Sequence, residues 1–260
     1  MDPVARRGAV FMVGVLLALF CGYFVGKGSV PRPAPAPADH AHAGPEYSLA
    51  LEASDFPLGS ARDLRFRVVG AAGETVTDFA VRHDERMHVV VVRSDLTGYQ
   101  HLHPSMGPDG TWSVPLTLGA PGTWRVFADF AAGGVDAVAG SFVSVAGAFS
   151  PVPLGPAILG ISGVSVTVEG GLRAGGTEPL TLRVSTGPLA RYLGAYGHLV
   201  LVRTGDLAFV HVHPEDAARA DGREVRFWVT PPGPGTYRAF FDFSIGGVLR
   251  TAEFTLNCTL

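Results

Sequence analysis

The chain contains a copy of itself, and this constrains its fold more than any other feature. Residues 87–104 match residues 197–214 without a gap, from Met87-His88 to His103-Pro104 and from Gly197-His198 to His213-Pro214. Residues 120–130, ending in Asp129-Phe130, match residues 233–243, ending in Asp242-Phe243. Upstream, residues 64–68 match residues 180–184. Matched blocks in the same order are what a duplicated domain leaves behind. The fold must therefore suit about 100 residues used twice, a size that can bury a core of its own.

The 260 residues include 34 Gly and 20 Pro, scattered between short runs rich in Val, Leu and Phe. In the first copy, residues 47–50, 64–69, 88–92, 112–116 and 124–130 read as strands bounded by turn residues, with no amphipathic helical period. The expected fold is all-β: two tandem immunoglobulin-like or cupredoxin-like β-sandwich domains over residues 45–147 and 157–260. Residues 148–156, with prolines at Pro151, Pro153 and Pro156, form the joint. The strand topology is not legible in this pattern. The net charge of −3, with no basic stripe, argues against a nucleic-acid partner.

Arg6 and Arg7 precede nineteen uncharged residues, 8–26, which end at Lys27. About 20 apolar residues cross a bilayer as a helix, whereas a secretory signal has a shorter apolar core of about 7–15 residues. Residues 1–27 are therefore read as a cytoplasmic tip and a single-pass transmembrane anchor in the cell membrane. The paired arginines put the N-terminus in the cytoplasm and the domains outside it. A cleaved signal, giving a secreted protein, is the alternative, and it also leaves the domains extracytoplasmic. Residues 28–44 form a Pro/Ala/His linker, stiff at Pro31 to Ala38. Within it, His40 and His42 read as a solvated segment with at most weak metal affinity. Cys21 and Cys258 form no CxxC motif, so any metal site must draw on His, carboxylate or Met.

Six of the nine histidines fall at one spacing, H-x12-H-x-H: His88, His101, His103 and His198, His211, His213. In the second copy, Gly205-Asp206 suits a two-residue hairpin turn. Residues whose numbers sum to 411 then face each other, which sets His198 opposite His213 and diagonal to His211. Opposed Cβ atoms lie about 5 Å apart and diagonal ones about 7–8 Å, so three imidazoles can converge on one ion. The bland reading is that these are polar residues on a sheet surface or hydrogen-bond partners of the loops after Pro104 and Pro214. The repeated three-residue convergence favours one transition-metal site per domain.

The copies differ around the triads. His83, Met87 and Met106 in the first align with Leu193, Gly197 and Asp216 in the second. Met87 alternates with His88 and reads as core. Met106, just past the strand, is free to fold back as an extra ligand, and a thioether beside imidazoles favours copper, Cu(I) above all, over zinc. His83 reads either as an extra ligand or as an exposed loop residue. Asp129 and Asp242 sit between aromatic residues and need partners. They read either as carboxylates orienting a ligand imidazole or as ion-pair partners of Arg125 and Arg238, four residues upstream.

The His-x-His-Pro hairpins, His101-Leu102-His103-Pro104 and His211-Val212-His213-Pro214, each followed by the Pro-Gly-Thr-aromatic-Arg strand, resemble a family of secreted or membrane-attached bacterial β-sandwich domains. That family is largely uncharacterised and described as heavy-metal- or copper-associated. The resemblance covers both copies. It implies an extracytoplasmic bacterial sandwich linked to copper handling, without a proven activity.

The leading expectation is a membrane-anchored protein that binds a copper ion (or zinc) for metal handling, with a metal-transfer protein as its partner. A three-histidine metalloenzyme is the first rival, weakened because Glu215 has no counterpart at Ser105 and no shared base appears. An interaction module with structural histidines is the second.

Overall fold

The computed structural model describes residues 47–155, 160–161, 163–212, 214–215 and 222–260. The expected anchor and linker, residues 1–44, lie outside these, as do His213 and Asp216. No helix among the described residues is long and apolar enough to cross a membrane.

The described chain is all β. The first copy contributes β1 (Ser48–Leu51), β2 (Asp55–Phe56), β3 (Arg62–Val69), β4 (Met87–Arg93), β5 (Gln100–Leu102), β6 (Ser105–Met106), β7 (Trp112–Leu116), β8 (Gly122–Ala132) and β9 (Val135–Val145). The second contributes β10 (Gly160–Ile161), β11 (Val164–Glu169), β12 (Leu172–Arg173), β13 (Glu178–Val184), β14 (His198–Arg203), β15 (Phe209–Val212), β16 (Glu224–Val229), β17 (Gly235–Ile245) and β18 (Val248–Thr259). Each copy pairs a four-stranded sheet (β1-β3-β7-β6; β10-β11-β13-β16) with a five-stranded one (β2-β9-β8-β4-β5; β12-β18-β17-β14-β15). The five-stranded sheets match strand for strand, and the four-stranded ones share the order β1-β3-β7 and β11-β13-β16 but differ at the edge, where the first copy adds β6 beside β7 and the second adds β10 beside β11.

Strand alternation explains the two cores. In β3, Leu64, Phe66 and Val68 point inward and meet Met87, Val89 and Val91 of β4 and Val126, Ala128 and Phe130 of β8. In the second copy, Leu180, Leu182 and Val184 meet Leu199, Leu201, Phe241 and Phe243. A strand with one wet face would alternate apolar and polar residues. Yet β4 and β14 are apolar at every position from Val89 to Val92 and from Leu199 to Val202, as strands buried on both faces are.

The second faces of β4 and β14 bury each other. Val90, Val92, Leu96 and Phe127 of the first copy form a third core with Val200, Val202, Phe209 and Phe240 of the second. Tyr99 stacks on Phe240 at 4.1 Å between ring centroids, and Phe127 on Phe209 at 4.5 Å. Repeat alignment equates Tyr99 with Phe209 and Phe127 with Phe240. The two stacks are therefore one contact made in both directions, the isologous pattern of a two-fold dimer inside a single chain.

Candidate metal centre

The hairpin β4–β5 builds the site. Val89 faces Leu102 and Val90 faces His101. Leu102 packs with the first core and Val90 with the interdomain core, so His101 shares the interdomain face. Residues 88 and 103 continue the same register. Met87 points into the core, as the alternation predicted. In the second hairpin, Leu199 faces Val212 and Val200 faces His211, the register in which numbers sum to 411.

Its turn is wider than expected. Arg203 N–H donates to Ala208 O and Leu207 N–H to Arg203 O, with Leu207 at φ 56°. The Asp206 carboxylate turns back to accept from Arg203 Nε at 3.0 Å. In the first copy Asp95 takes that role on Arg93, and Leu96 has the positive φ, 64°. The ungapped sequence match therefore conceals one extra residue before the Asp-Leu pair of the second turn, removed again before β15.

His88, His101 and His103 each offer a ring nitrogen, all within 4.8 Å of one another. Their ring centroids are 5.3 Å (88 to 101), 5.1 Å (88 to 103) and 4.8 Å (101 to 103) apart. Three imidazoles bound to one ion at about 2.0–2.1 Å in a tetrahedral arrangement have centroids roughly 5 Å apart. The donor set thus fits a transition-metal ion with little rearrangement. His103 Nε2 is buried and has no hydrogen-bond partner among the described residues.

Tautomers sharpen the fit. A carbonyl only accepts, so His88 Nε2–H donates to Arg82 O at 3.2 Å, and the Nδ1 lone pair points the other way. Asp242 Oδ2 accepts from His101 Nδ1–H at 2.9 Å, which leaves Nε2 as the His101 nitrogen that faces the other rings. Those two nitrogens, His88 Nδ1 and His101 Nε2, lie 3.1 Å apart. Two lone pairs at that distance repel unless a cation, a proton or a metal ion, stands between them.

The electrostatics agree. Burial, then the neighbouring His101, lowers His88 to about 4, and the same two causes lower His103 to about 4. Both rings are neutral at pH 7, the form that coordinates a metal. Asp242 is opposed by burial, but hydrogen bonds from His101, Thr251 and Tyr99 outweigh it and hold its carboxyl below the usual range. Thr251 Oγ1 donates to Oδ1 at 2.5 Å and Tyr99 Oη to Oδ2 at 2.8 Å. Burial, and then the Asp242 charge, push the Tyr99 phenol well up, so it remains a donor.

The remaining predicted residues fall into place unequally. His198 is fully buried and its Nε2–H donates to Tyr192 O at 3.1 Å, six residues upstream as Arg82 is from His88. Its ring centroid lies 5.6 Å from His83, 5.9 Å from His88 and 5.8 Å from His101. His211 is in β15, opposite Val200.

Met106 is partly buried against the first apolar core, opposite Trp112 across β6 and β7. Asp129 faces His88 across β4 and β8, and its charge favours the protonated ring. The arginines four residues upstream are engaged elsewhere: Arg238 with Glu253 at 2.8 Å, Arg125 over the Phe127 and Phe142 rings. Sequence reasoning missed Tyr99, Thr251 and the crossing of Asp242 to the other copy's histidine. The doubly apolar runs of β4 and β14 were the signal that could have shown it.

A family model described as a domain of unknown function (DUF8832) matches residues 41–147 and again residues 160–259. No curated protein matches the chain. Among solved structures, the Escherichia coli adhesin FdeC is similar at 14% identity and a TM-score of 0.27, over 82% of this chain and 64% of that one. A Salmonella alpha-2-macroglobulin mutant is similar at 14% identity and a TM-score of 0.30, over 86% of this chain and 16% of that one. A chimeric titin Z1Z2 tandem is similar at 18% identity and a TM-score of 0.22, over 81% of this chain and 96% of that one. This chain spans less than two thirds of the first two.

Proposed function

The chain belongs to the DUF8832 family, with two copies of its domain, and from that premise we propose that it is a transition-metal-binding protein whose first copy holds an ion on His88, His101 and His103. One observation carries the reading: His88, His101 and His103 offer ring nitrogens all within 4.8 Å of one another, with His88 Nδ1 and His101 Nε2 3.1 Å apart. The buried His103 Nε2 completes the donor set.

The choice of metal changes with Met106 in the core. Without a thioether the set is all imidazole, which suits Zn²⁺ or Cu²⁺, and the affinity order of divalent ions favours Cu²⁺. With residues 8–26 as a membrane span, the site would sit outside the cytoplasm and serve metal handling, with exchange to a partner protein.

Equilibrium dialysis of the purified chain against Zn²⁺ or Cu²⁺, followed by metal analysis, tests this. At least one ion per chain is expected. His88→Ala, His101→Ala or His103→Ala should weaken binding by more than the roughly 10–100-fold that outer contacts are worth, while Met106→Leu leaves it unchanged. Wild-type binding no tighter than that of the three variants would mean that a shared proton satisfies the His88–His101 contact and the histidines are structural.

A further inference from the structure

The residue that fixes the first copy's histidine belongs to the second copy. Asp242 lies 141 positions beyond His101 and only 3% of it is exposed. A carboxylate accepting from the far nitrogen of a ligand imidazole locks the ring's tautomer and orientation and makes its other nitrogen a better donor. The carboxylate is held from both sides, by Tyr99 of the first copy and Thr251 of the second. His198 of the second copy walls the same cluster, within 6 Å of three first-copy rings.

The sandwiches meet through the third core, whose two aromatic stacks flank Val90, Val92, Val200 and Val202. Separating them would remove the carboxylate from His101. We infer that the metal centre is assembled by both copies, with Asp242 as its positioning residue, so that ion affinity and docking of the two sandwiches are thermodynamically linked. This rests on the metal reading above and adds to it who builds the site. Linkage is reciprocal: whatever loosens the docking weakens the ion, and the ion tightens the docking.

The test titrates the full chain and two variants with Co²⁺, reading the visible absorption of the bound ion and the affinity by Zn²⁺ competition. Asp242→Asn keeps the side-chain shape and removes the charge. Its expected effect is a loss of affinity of roughly 10–100-fold, with an altered Co²⁺ spectrum. Phe127→Ala breaks the stack on Phe209 without touching an imidazole, and should lower affinity about fivefold or more with circular dichroism of the metal-free protein unchanged.

Wild-type affinity in either variant overturns the linkage. If His88→Ala abolishes binding while both variants bind like wild type, the first sandwich owns the site alone and the metal reading survives. If wild type binds no Co²⁺, both fall together.

Discussion

The first and second sandwiches solve one packing problem with opposite residues. Met87 opens β4 and points into its core, where β8 offers Ala128. The second copy has Gly197 and, in the place of Ala128, Phe241. A Cβ on Gly197 would come 2.5 Å from the Phe241 ring, so the phenyl fills the space the methionine takes in the first copy. The histidines beside them are held alike, each donating Nε2–H to the carbonyl six residues upstream. A sequence difference next to the candidate histidines is therefore a core difference here, and Met87 versus Gly197 carries no information about metal preference.

The largest expected effect comes from acid, at the first triad. Unfolded histidine takes a proton near pH 6.5, whereas folded His88 and His103 do so only near pH 4. Between those values the unfolded chain binds more protons, so stability of the metal-free protein falls as pH drops from about 6.5 to 4. The loss is about 3 kcal/mol for one such group taken alone, and less than twice that for the interacting pair. Denaturant melts at pH 7 and pH 4.5 check it. His103→Gln should flatten the profile, and an unchanged slope would mean that the ring is better solvated than its burial implies.

Next in size is the volume exchange. Met87→Ala leaves a hole in a fully buried site and should cost about 2–5 kcal/mol in urea. Metal affinity should remain at the wild-type value, because the side chain faces away from the imidazoles. In the second copy the mirror experiment overpacks: Gly197→Ala drives a methyl into Phe241 and costs about 1–3 kcal/mol. If Met87→Ala instead weakens the ion, the two faces of β4 are coupled and the comparison breaks.

Much of this was legible in the sequence. Period-two alternation and repeated turn residues set the class and the duplication, and hairpin arithmetic placed residues 199–202 and 209–212 in their register. Two things escaped. The partner of Asp242 lies 141 positions away in the other copy, and a contact that depends on docking leaves no local periodicity. Met106 follows the histidines closely in sequence, yet the pattern did not show that its strand β6 pairs with β7 of the other sheet and sets it opposite Trp112. The apolar runs of β4 and β14 did announce a second covered face, since four consecutive buried residues cannot belong to a strand with one wet side.

The smallest effect separates the two turns. Asp95 and Arg93 are each 6% exposed in their side chains, and Asp95 also accepts from Thr97 Oγ1 at 2.7 Å and Val152 N at 2.8 Å. Burial opposes its ionisation, yet these bonds hold the carboxyl at about 2. Its contribution is present above the unfolded value near 4 and is lost as pH falls through about 2. Asp206 accepts from Arg203 too, but its side chain is 53% exposed and water competes for the pair. Asp95→Asn should therefore cost about 2.5 kcal/mol at pH 7, the free energy that holds the carboxyl at about 2 rather than near 4, against less than about 1 kcal/mol for Asp206→Asn. Because Asp95 ties the β4–β5 turn to the chain at Val152, its loss should also raise hydrogen exchange in residues 150–153, with no such change in the Asp206 variant. Equal costs for the two would mean that the joint between the sandwiches draws nothing from the first turn.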